Sequence, residues 1–557
     1  MTASGLAALP SPHPSPDVAR GDQPRPSRGG TATVPRCPRR QWGAERARPP
    51  LPAVEPPARP TATWFGGLLM TVTVTAWLVY LLQTVVSGYI DHGLQDSRFL
   101  RQTAFYVVLM TALIFSSLMY LLARQGALYR SRTHVRAPRA EIDAFMTDHR
   151  PSLTVLVPSY REEPEVVWST LLSAALQEYP GLRVVLLLDD PPDPTDEDGR
   201  RGLHACRALP RDLMALLEEP AERCETYALV VEGRATDLGA ATAEEITVCA
   251  EHHEWAADWL SLRQMEHVRR SHADDFVADE VLGRLAEDFR TTASALRAAA
   301  EEGASVPNER LAQLARRLAW TFRATVSVFE RKNYANLPHD ANKAMNLNAY
   351  LALMGSTVRA EDTRIGRVLR RTDAPDAVEI PDSDYVLTLD ADSVLLREYC
   401  LRLVHHMEQP GNERIAVIQT PYSAFRGAGT RLERIAGATT DIQHIVHQGL
   451  THFDATFWVG ANAVIRKRAL DDIVEVSYVG CDSRTRCSGS RTRPRSPGRA
   501  SGSSCCSSSR STASCSAPCS SRPRPRTSSP WPRTSTVWGT SGATSSASTR
   551  STWSSSP

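Results

Sequence analysis

The last stretch of this 557-residue chain lacks nearly everything a folded core is built from. From Cys481 to Pro557 there is no Leu, Ile, Met, Phe or Tyr, and no Lys, Glu, Asn, Gln or His. Ser, Arg, Thr, Pro, Cys, Ala and Gly supply almost all of it. So little apolar area does not offset the entropy of ordering a chain, so 481–557 is expected to be a disordered low-complexity tail. Six of the eleven cysteines fall there (Cys481, Cys487, Cys505, Cys506, Cys515 and Cys519), without the paired spacing of a zinc site. A natural Ser/Arg-rich tail has such a composition, and so does GC-rich DNA read in a shifted frame; the shifted frame is the reading favoured. The other five cysteines (Cys37, Cys206, Cys224, Cys249 and Cys400) are scattered, as reduced thiols are. The chain also has little net charge, formally +2, which gives no electrostatic ground for a nucleic-acid partner. Residues 1–62, rich in Pro, Arg, Ala and Ser, have little to bury and are expected to be disordered.

What is present begins at Trp64. Two uncharged apolar runs, Trp64 to about Ser87 and about Thr103 to Ala123, are each long enough to cross a lipid bilayer as a helix, at roughly 20 residues per span. Neither shows a polar face, so 63–125 is expected to be a transmembrane helical hairpin rather than buried soluble helices or a cleaved signal. Arg39, Arg40, Arg46, Arg48 and Arg59 precede the first span; Arg124, Arg130, Arg132, Arg136 and Arg139 follow the second. Basic flanks stay cytoplasmic, which places both outer ends of the hairpin in the cytosol.

The domain that follows, 150–480, reads as alternating strands and helices. Leu153–Val157 and Leu182–Leu188 are short apolar strands with an amphipathic helix, Val166–Leu176, between them, which implies a parallel sheet covered on both faces. Polar or acidic residues close each strand: Tyr160 and Glu162 after the first, Asp189 and Asp190 after the second. Tyr385–Leu389 is a third apolar run, ending in Asp390 and Asp392 with no basic residue beside them. Side chains two apart on an extended chain point the same way, so this pair could hold one hard cation, Mg²⁺ or Mn²⁺, against a substrate diphosphate. Taken alone, Asp-x-Asp is more often an acidic turn; its repetition at strand ends, where open α/β sheets bind ligands, is what favours a nucleotide site. Between about 195 and 335 lies a charged helical insert, including Glu280–Glu301 with Leu282, Leu285, Phe289 and Leu296 on one side. It is read as a solvated excursion, with a partner-binding hairpin as the other reading. His444 and His447, three apart on a helix, have the spacing of a metal pair but no third ligand, and helix packing or acceptor contact is the favoured reading.

Six motifs then occur in order: Val157-Pro-Ser-Tyr160-Arg-Glu162, Leu188-Asp189-Asp190, Asn342-Lys343-Ala-Met-Asn346-Leu-Asn348, Leu389-Asp390-Ala-Asp392, Gln419-Thr420-Pro421 and Val459-Gly460-Ala-Asn462-Ala-Val-Ile-Arg466. The set resembles family 2 glycosyltransferases of GT-A fold, of the membrane-embedded processive type typified by bacterial cellulose synthase, over 64 to about 480 apart from the insert. The resemblance implies an α/β fold class: a Rossmann-like mixed sheet in a cytosolic domain after a transmembrane hairpin. It implies a cell-membrane enzyme transferring sugar, glucose first among candidates, from a UDP-sugar to a growing β-linked glycan. UDP-N-acetylglucosamine is the rival donor, and a catalytically dead nucleotide-sugar-binding membrane protein the rival from another class. Tyr160 and Glu162 would cradle the uridine, Asp189 or Asp190 would contact the nucleoside, and Lys343 would approach the diphosphate. Asp390 and Asp392 would hold the divalent ion. Gln419, Thr420 and Pro421 would lie beside the acceptor, and Gly460 and Asn462 would shape the sugar and acceptor pocket. For Gly460 a plain backbone turn is an equal reading. An accessory subunit is compatible with the type.

Two elements of that type are missing after residue 480: a Thr-Glu-Asp-like motif whose Asp deprotonates the acceptor hydroxyl, and Gln-x-x-Arg-Trp. General-base help is worth about 10²–10⁴-fold, so the chain as it stands is expected to make little or no polymer. Ser490-Arg491-Thr492-Arg493-Pro494 can be written TCG AGG ACA CGG CCx. Read in a shifted frame, those bases encode an apolar residue followed by Glu-Asp-Thr-Ala.

Overall fold

The computed structural model describes residues 57–477, apart from 93–96, 235–238, 421, 426 and 461, together with three short strands at 491–494, 533–536 and 543–545. The expected N-terminal tail lies outside the described residues up to position 56, as does most of 481–557.

The apolar runs form two long helices, α1 (Pro60–His92) and α2 (Ser97–Thr133). Both are long and apolar enough to cross a membrane, and almost none of either apolar window is buried in the protein. Hydroxyls on α1 turn back onto their own helix: Thr71, Thr73 and Thr84 donate to carbonyls four residues earlier at 2.8–3.1 Å. Those three hydroxyls are thereby satisfied within their own helix, on a surface that is otherwise apolar.

After α3 (Arg139–Asp148), the chain builds a mixed sheet. β1 (Leu153–Ser159) leads through α4 (Pro164–Ala175) to β2 (Leu182–Leu188), and Pro164 opens α4 at a first-turn position where no amide donor is needed. Four helices follow, α5 (Glu197–Glu232), α6 (Ala243–Glu266), a short α7 (His272–Phe276) and α8 (Arg284–Glu301), with a π-helical turn, Val277–Gly283, leading into α8. α9 (Asn308–Phe322) then leads to β3 (Thr325–Phe329). α10 (Lys343–Leu351) precedes a small antiparallel sheet of β4 (Ser356–Thr363), β5 (Gly366–Arg371) and β6 (Val378–Ile380). β7 (Tyr385–Thr388), β8 (Ser393–Val394), α11 (Tyr399–Glu408), β9 (Ile415–Gln419), β10 (Tyr422–Ser423), α12 (Arg431–His452), β11 (Ala463–Arg466), α13 (Lys467–Asp471) and β12 (Val474–Ser477) complete the domain.

β3, β2, β1 and β7 run parallel in that spatial order; β11 is antiparallel to β7 and to its other neighbour β9. Leu153 of β1 therefore faces Leu182 on one side and Tyr385 on the other. The chain leaves β1 toward β2 and β3, then returns to β7 on the opposite flank. The strand order thus reverses between β1 and β7, and a crevice opens at such a switch point.

Alternate residues of the strands feed two cores. Val155, Val157, Val184, Leu186 and Leu387 face a large helical layer, while Leu156, Val185, Leu187 and Val386 face α10 and the small sheet. Buried side chains of α5, α6, α8, α9 and the π-helical turn belong to the same cluster as the sheet, including Leu282, Leu285, Phe289 and Leu296. This corrects the expected insert: it is part of the main core rather than a solvated excursion. Its far boundary moves too, because β3 is the edge strand of the central sheet.

The tail needs a local correction. Arg491–Pro494 pairs with β12, Arg533–Thr536 with β9, and Ala543–Ser545 with β10 and β8. Pairing at a sheet edge uses backbone groups that any composition supplies, so it does not require the large aliphatic residues this stretch lacks.

Candidate active site

The crevice is lined by the loops that leave β1, β2 and β7 and by the start of α10. The β7 loop does not continue extended. Ser393 N–H donates to Asp390 C=O at 3.0 Å, closing a four-residue turn that carries both carboxylates. The expectation that an extended chain aims them together is corrected: the turn presents them. Asn462, fully buried with φ +47°, meets this turn from beneath. Its Oδ1 accepts from Asp390 N–H at 3.2 Å and its Nδ2 donates to Ser393 Oγ at 3.2 Å. Asn tolerates the left-handed backbone that such a reach needs. Asn462 is therefore a support of the carboxylate turn rather than a wall of the pocket.

Electrostatically the turn is under-neutralised. Burial first, then the Asp390 and Glu162 carboxylates, push Asp392 up to about 6. Burial, followed by Glu163, Asp390 and Asp190, also raises Glu162. Carboxylates from three loops thus feel one another across the crevice. Lys343, the first residue of α10, donates to Asp390 Oδ1. The sequence shows no basic residue beside Asp390; the partner comes from 47 positions away. A lysine at a helix N-terminus opposes the helix dipole, so this carboxylate offsets an unfavourable placement.

The β2 loop has the opposite character. Asp189 Oδ1 accepts from the fully buried Arg331 at 2.5 Å and lies 3.4 Å from Lys332 Nζ. Its Oδ2 accepts from Asn342 N–H at 3.1 Å. Arg331 also donates to the Pro338 and Asp340 carbonyls, fixing the loop that leads into α10. Asp190 accepts only from Arg161 N–H, at 3.3 Å and longer, among the described contacts, and burial raises its carboxyl. Tyr160 is 46% exposed, with Arg161 and Lys332 each within 6 Å of its ring centre.

The residues expected at the acceptor side are more buried than exposed. Gln419 Oε1 accepts from Val459 N–H at 2.9 Å, and Thr420 Oγ1 is 2.7 Å from Tyr399 Oη. Pro421 lies outside the described residues. Gly460 has φ +97° with open space around a Cβ, so the backbone itself requires glycine, as in a turn. On α12, His447 packs edge-on against Phe457 of the following loop, and burial lowers His444 to about 4.

Arg331 and Lys332 were not identified from sequence. Their signal lies in Thr325–Phe329, a short strand closed by charged residues like the other strands of the sheet, set inside a long helical region. A cleft of about 940 Å³ on the insert, bounded by Arg223, Tyr227, Val248 and Leu311, shares no residue with the crevice.

Among the described residues no three His, Cys, Asp or Glu side chains close on one point. Two carboxylates with spare charge fit a hard divalent ion that takes its other ligands from a diphosphate and water.

Residues 385–490 match the family model described as Glycosyl transferase family group 2. A search of curated proteins gives no match. The matched stretch begins at the first residue of β7 and contains the carboxylate turn, β9, α12 and β11. It supports a glycosyltransferase, working on a nucleotide-sugar donor and a glycan acceptor.

Proposed function

We propose that this chain is a membrane-anchored glycosyltransferase domain of the β-glycan synthase type, taking glucose from UDP-glucose with inversion. The observation that carries the reading is the Asp390–Asp392 turn at the switch point, facing Glu162 and Asp190, with Lys343 beside it. Asp190 is the residue assigned to the nucleoside, because Asp189 is consumed by Arg331, Lys332 and Asn342. Tyr160 offers an exposed ring and Glu162 a carboxylate at the same edge. Lys343 and the amide end of α10 meet the diphosphate. Asp390 and Asp392 would hold Mg²⁺ or Mn²⁺, whose chemistry is to stabilise the departing diphosphate. Gln419, Thr420 and Gly460 support the acceptor side through the backbone they fix.

Calorimetry of the full chain in detergent, with UDP in the presence and absence of Mn²⁺, tests the reading. Tighter binding with metal is expected; equal affinity overturns it. For orientation, labelling of intact cells from outside should reach a cysteine placed at Gly93 and not one at Gly202, given the basic flanks of both helices.

A second reading is favoured by one observation: neither a Glu-Asp motif nor any Gln occurs after residue 480. In that reading the chain binds nucleotide sugar without transferring it. We attribute the loss to a shifted frame near Gly480. Resequencing should reveal an open alternative frame with Gln-x-x-Arg-Trp downstream of Glu-Asp; stops in both other frames would exclude that origin.

A further inference from the structure

α4 carries an anomaly that its place in the core does not explain. Val167, Leu171, Ala174 and Ala175 are fully buried, as the inner face of a helix should be, yet so are Thr170 and Ser173 within it and Gln177 and Glu178 just beyond its end. Buried polar groups are costly unless bonded. All four are bonded, and each has a partner in one run of chain, although the Glu178 carboxylate also accepts from Arg139 and Arg317. Thr170 Oγ1 donates to Ala391 C=O at 2.6 Å. Ser173 Oγ accepts from Leu395 N–H at 3.0 Å. Glu178 N–H donates to Arg397 C=O at 3.2 Å, and Gln177 Oε1 accepts from Cys400 N–H at 3.3 Å. The polar stripe thus fastens residues 391 to 400 alongside α4.

The first of these bonds lies between the two carboxylates. Thr170 could bond only within its own helix, as mid-helix threonines commonly do. Instead its contact with Ala391 is the shorter: 2.6 Å against 3.3 Å to Val166 C=O. Asn462 holds the turn at Asp390 N–H and Ser393 Oγ, and Thr170 holds it at the Ala391 carbonyl, on the peptide that joins Ala391 to Asp392. Without that bond no other described contact fixes the Ala391 carbonyl itself, and the peptide leading into Asp392 is held only through the Asp390–Ser393 bond and Asn462.

We propose that Thr170 is a positioning residue for the metal-binding turn: its buried hydroxyl sets how Asp392 stands relative to Asp390. This rests on the metal-dependent nucleotide site proposed above. Thr170→Val keeps the shape and removes the donor. Thr170→Ser keeps the donor. Ser173→Ala breaks the same stripe further along, at Leu395.

The test is calorimetry of UDP against the full chain, with and without Mn²⁺. Thr170→Val should lower the Mn²⁺ enhancement about tenfold, the low end for loss of an outer-shell partner, while metal-free UDP affinity stays within about twofold. Thr170→Ser should restore the enhancement. Ser173→Ala should lower the melting temperature and keep the enhancement. If Thr170→Val does not fold, Thr170→Cys, with a weak donor of serine's size, carries the same expectation. An undiminished enhancement in the folded Val or Cys variant overturns the proposal, as does an equal loss in Ser173→Ala. A wild-type protein with no Mn²⁺ effect would instead overturn the functional reading on which the proposal depends.

Discussion

Two strand ends in this protein carry the same pair of letters and opposite electrostatics. After β2, Asp189 is buried against Arg331 and Lys332 and accepts from the backbone of Asn342. After β7, Asp392 has neighbouring carboxylates, which help to raise it to about 6, and Lys343 pairs with Asp390 instead. An acidic strand end is thus not a functional site by virtue of its acidity. The first is a closed joint that holds the loop leading to α10. The second has negative charge left over, and a divalent ion or a proton can relieve it.

The contrast can be broken most forcefully at Arg331. Arg331→Met should destabilise the domain by about 3 kcal/mol or more, because it strands a buried carboxylate and frees the Pro338 and Asp340 carbonyls. Urea unfolding reads this directly, and a loss under about 1 kcal/mol would mean Asp189 is not held as described.

Asp392→Asn should do the reverse. It relieves repulsion, so stability is kept or raised, while the Mn²⁺ enhancement of UDP binding falls at least about tenfold. Calorimetry and thermal melting on the same sample separate the two effects. A variant that loses stability and keeps the metal effect would reverse the roles assigned to the two strand ends.

A third comparison uses pH. The folded value for Asp392, about 6, lies above its ordinary 3.8. Between those values the folded protein holds more protons at this site than the unfolded chain. The site's contribution to metal-free stability therefore falls as pH rises through the window and is regained on acidification. Mn²⁺ binding needs the charged carboxylate and should weaken below about pH 6. A titration of Mn²⁺ affinity between pH 5 and 7.5 that stays flat would count against a raised Asp392.

The smallest effect is expected at Lys343. Its pair with Asp390 is partly exposed, so Lys343→Met should change stability by less than about 1 kcal/mol. Affinity for UDP should fall more than affinity for uridine. Equal losses for both would place Lys343 away from the diphosphate.

Much of the frame was legible in advance. Period and composition identified both long apolar helices, β1, β2, β7 and α4, and the buried side of α8, because a local pattern suffices to say which residues seek a core. The helical insert was legible as helix but not as core. Leu285 and Phe289 on a charged helix look the same whether they pair within a hairpin or on a sheet, and only the contacts of α8 and α9 with the central layer distinguish the two. β3 was missed for a related reason: five residues inside a long helical region are too short to announce a strand against that background.

At the site, the sequence alone determined which chemistry is available: carboxylates, an aromatic ring and a lysine at turns after apolar strands. Tertiary structure decided which of them are free. Arg331 stands 142 positions from Asp189, Thr170 221 from Ala391 and Asn462 72 from Asp390. A carboxylate's charge is set by what lies within a few ångströms of it, and the sheet order chooses those neighbours by bringing distant strand ends to one crevice.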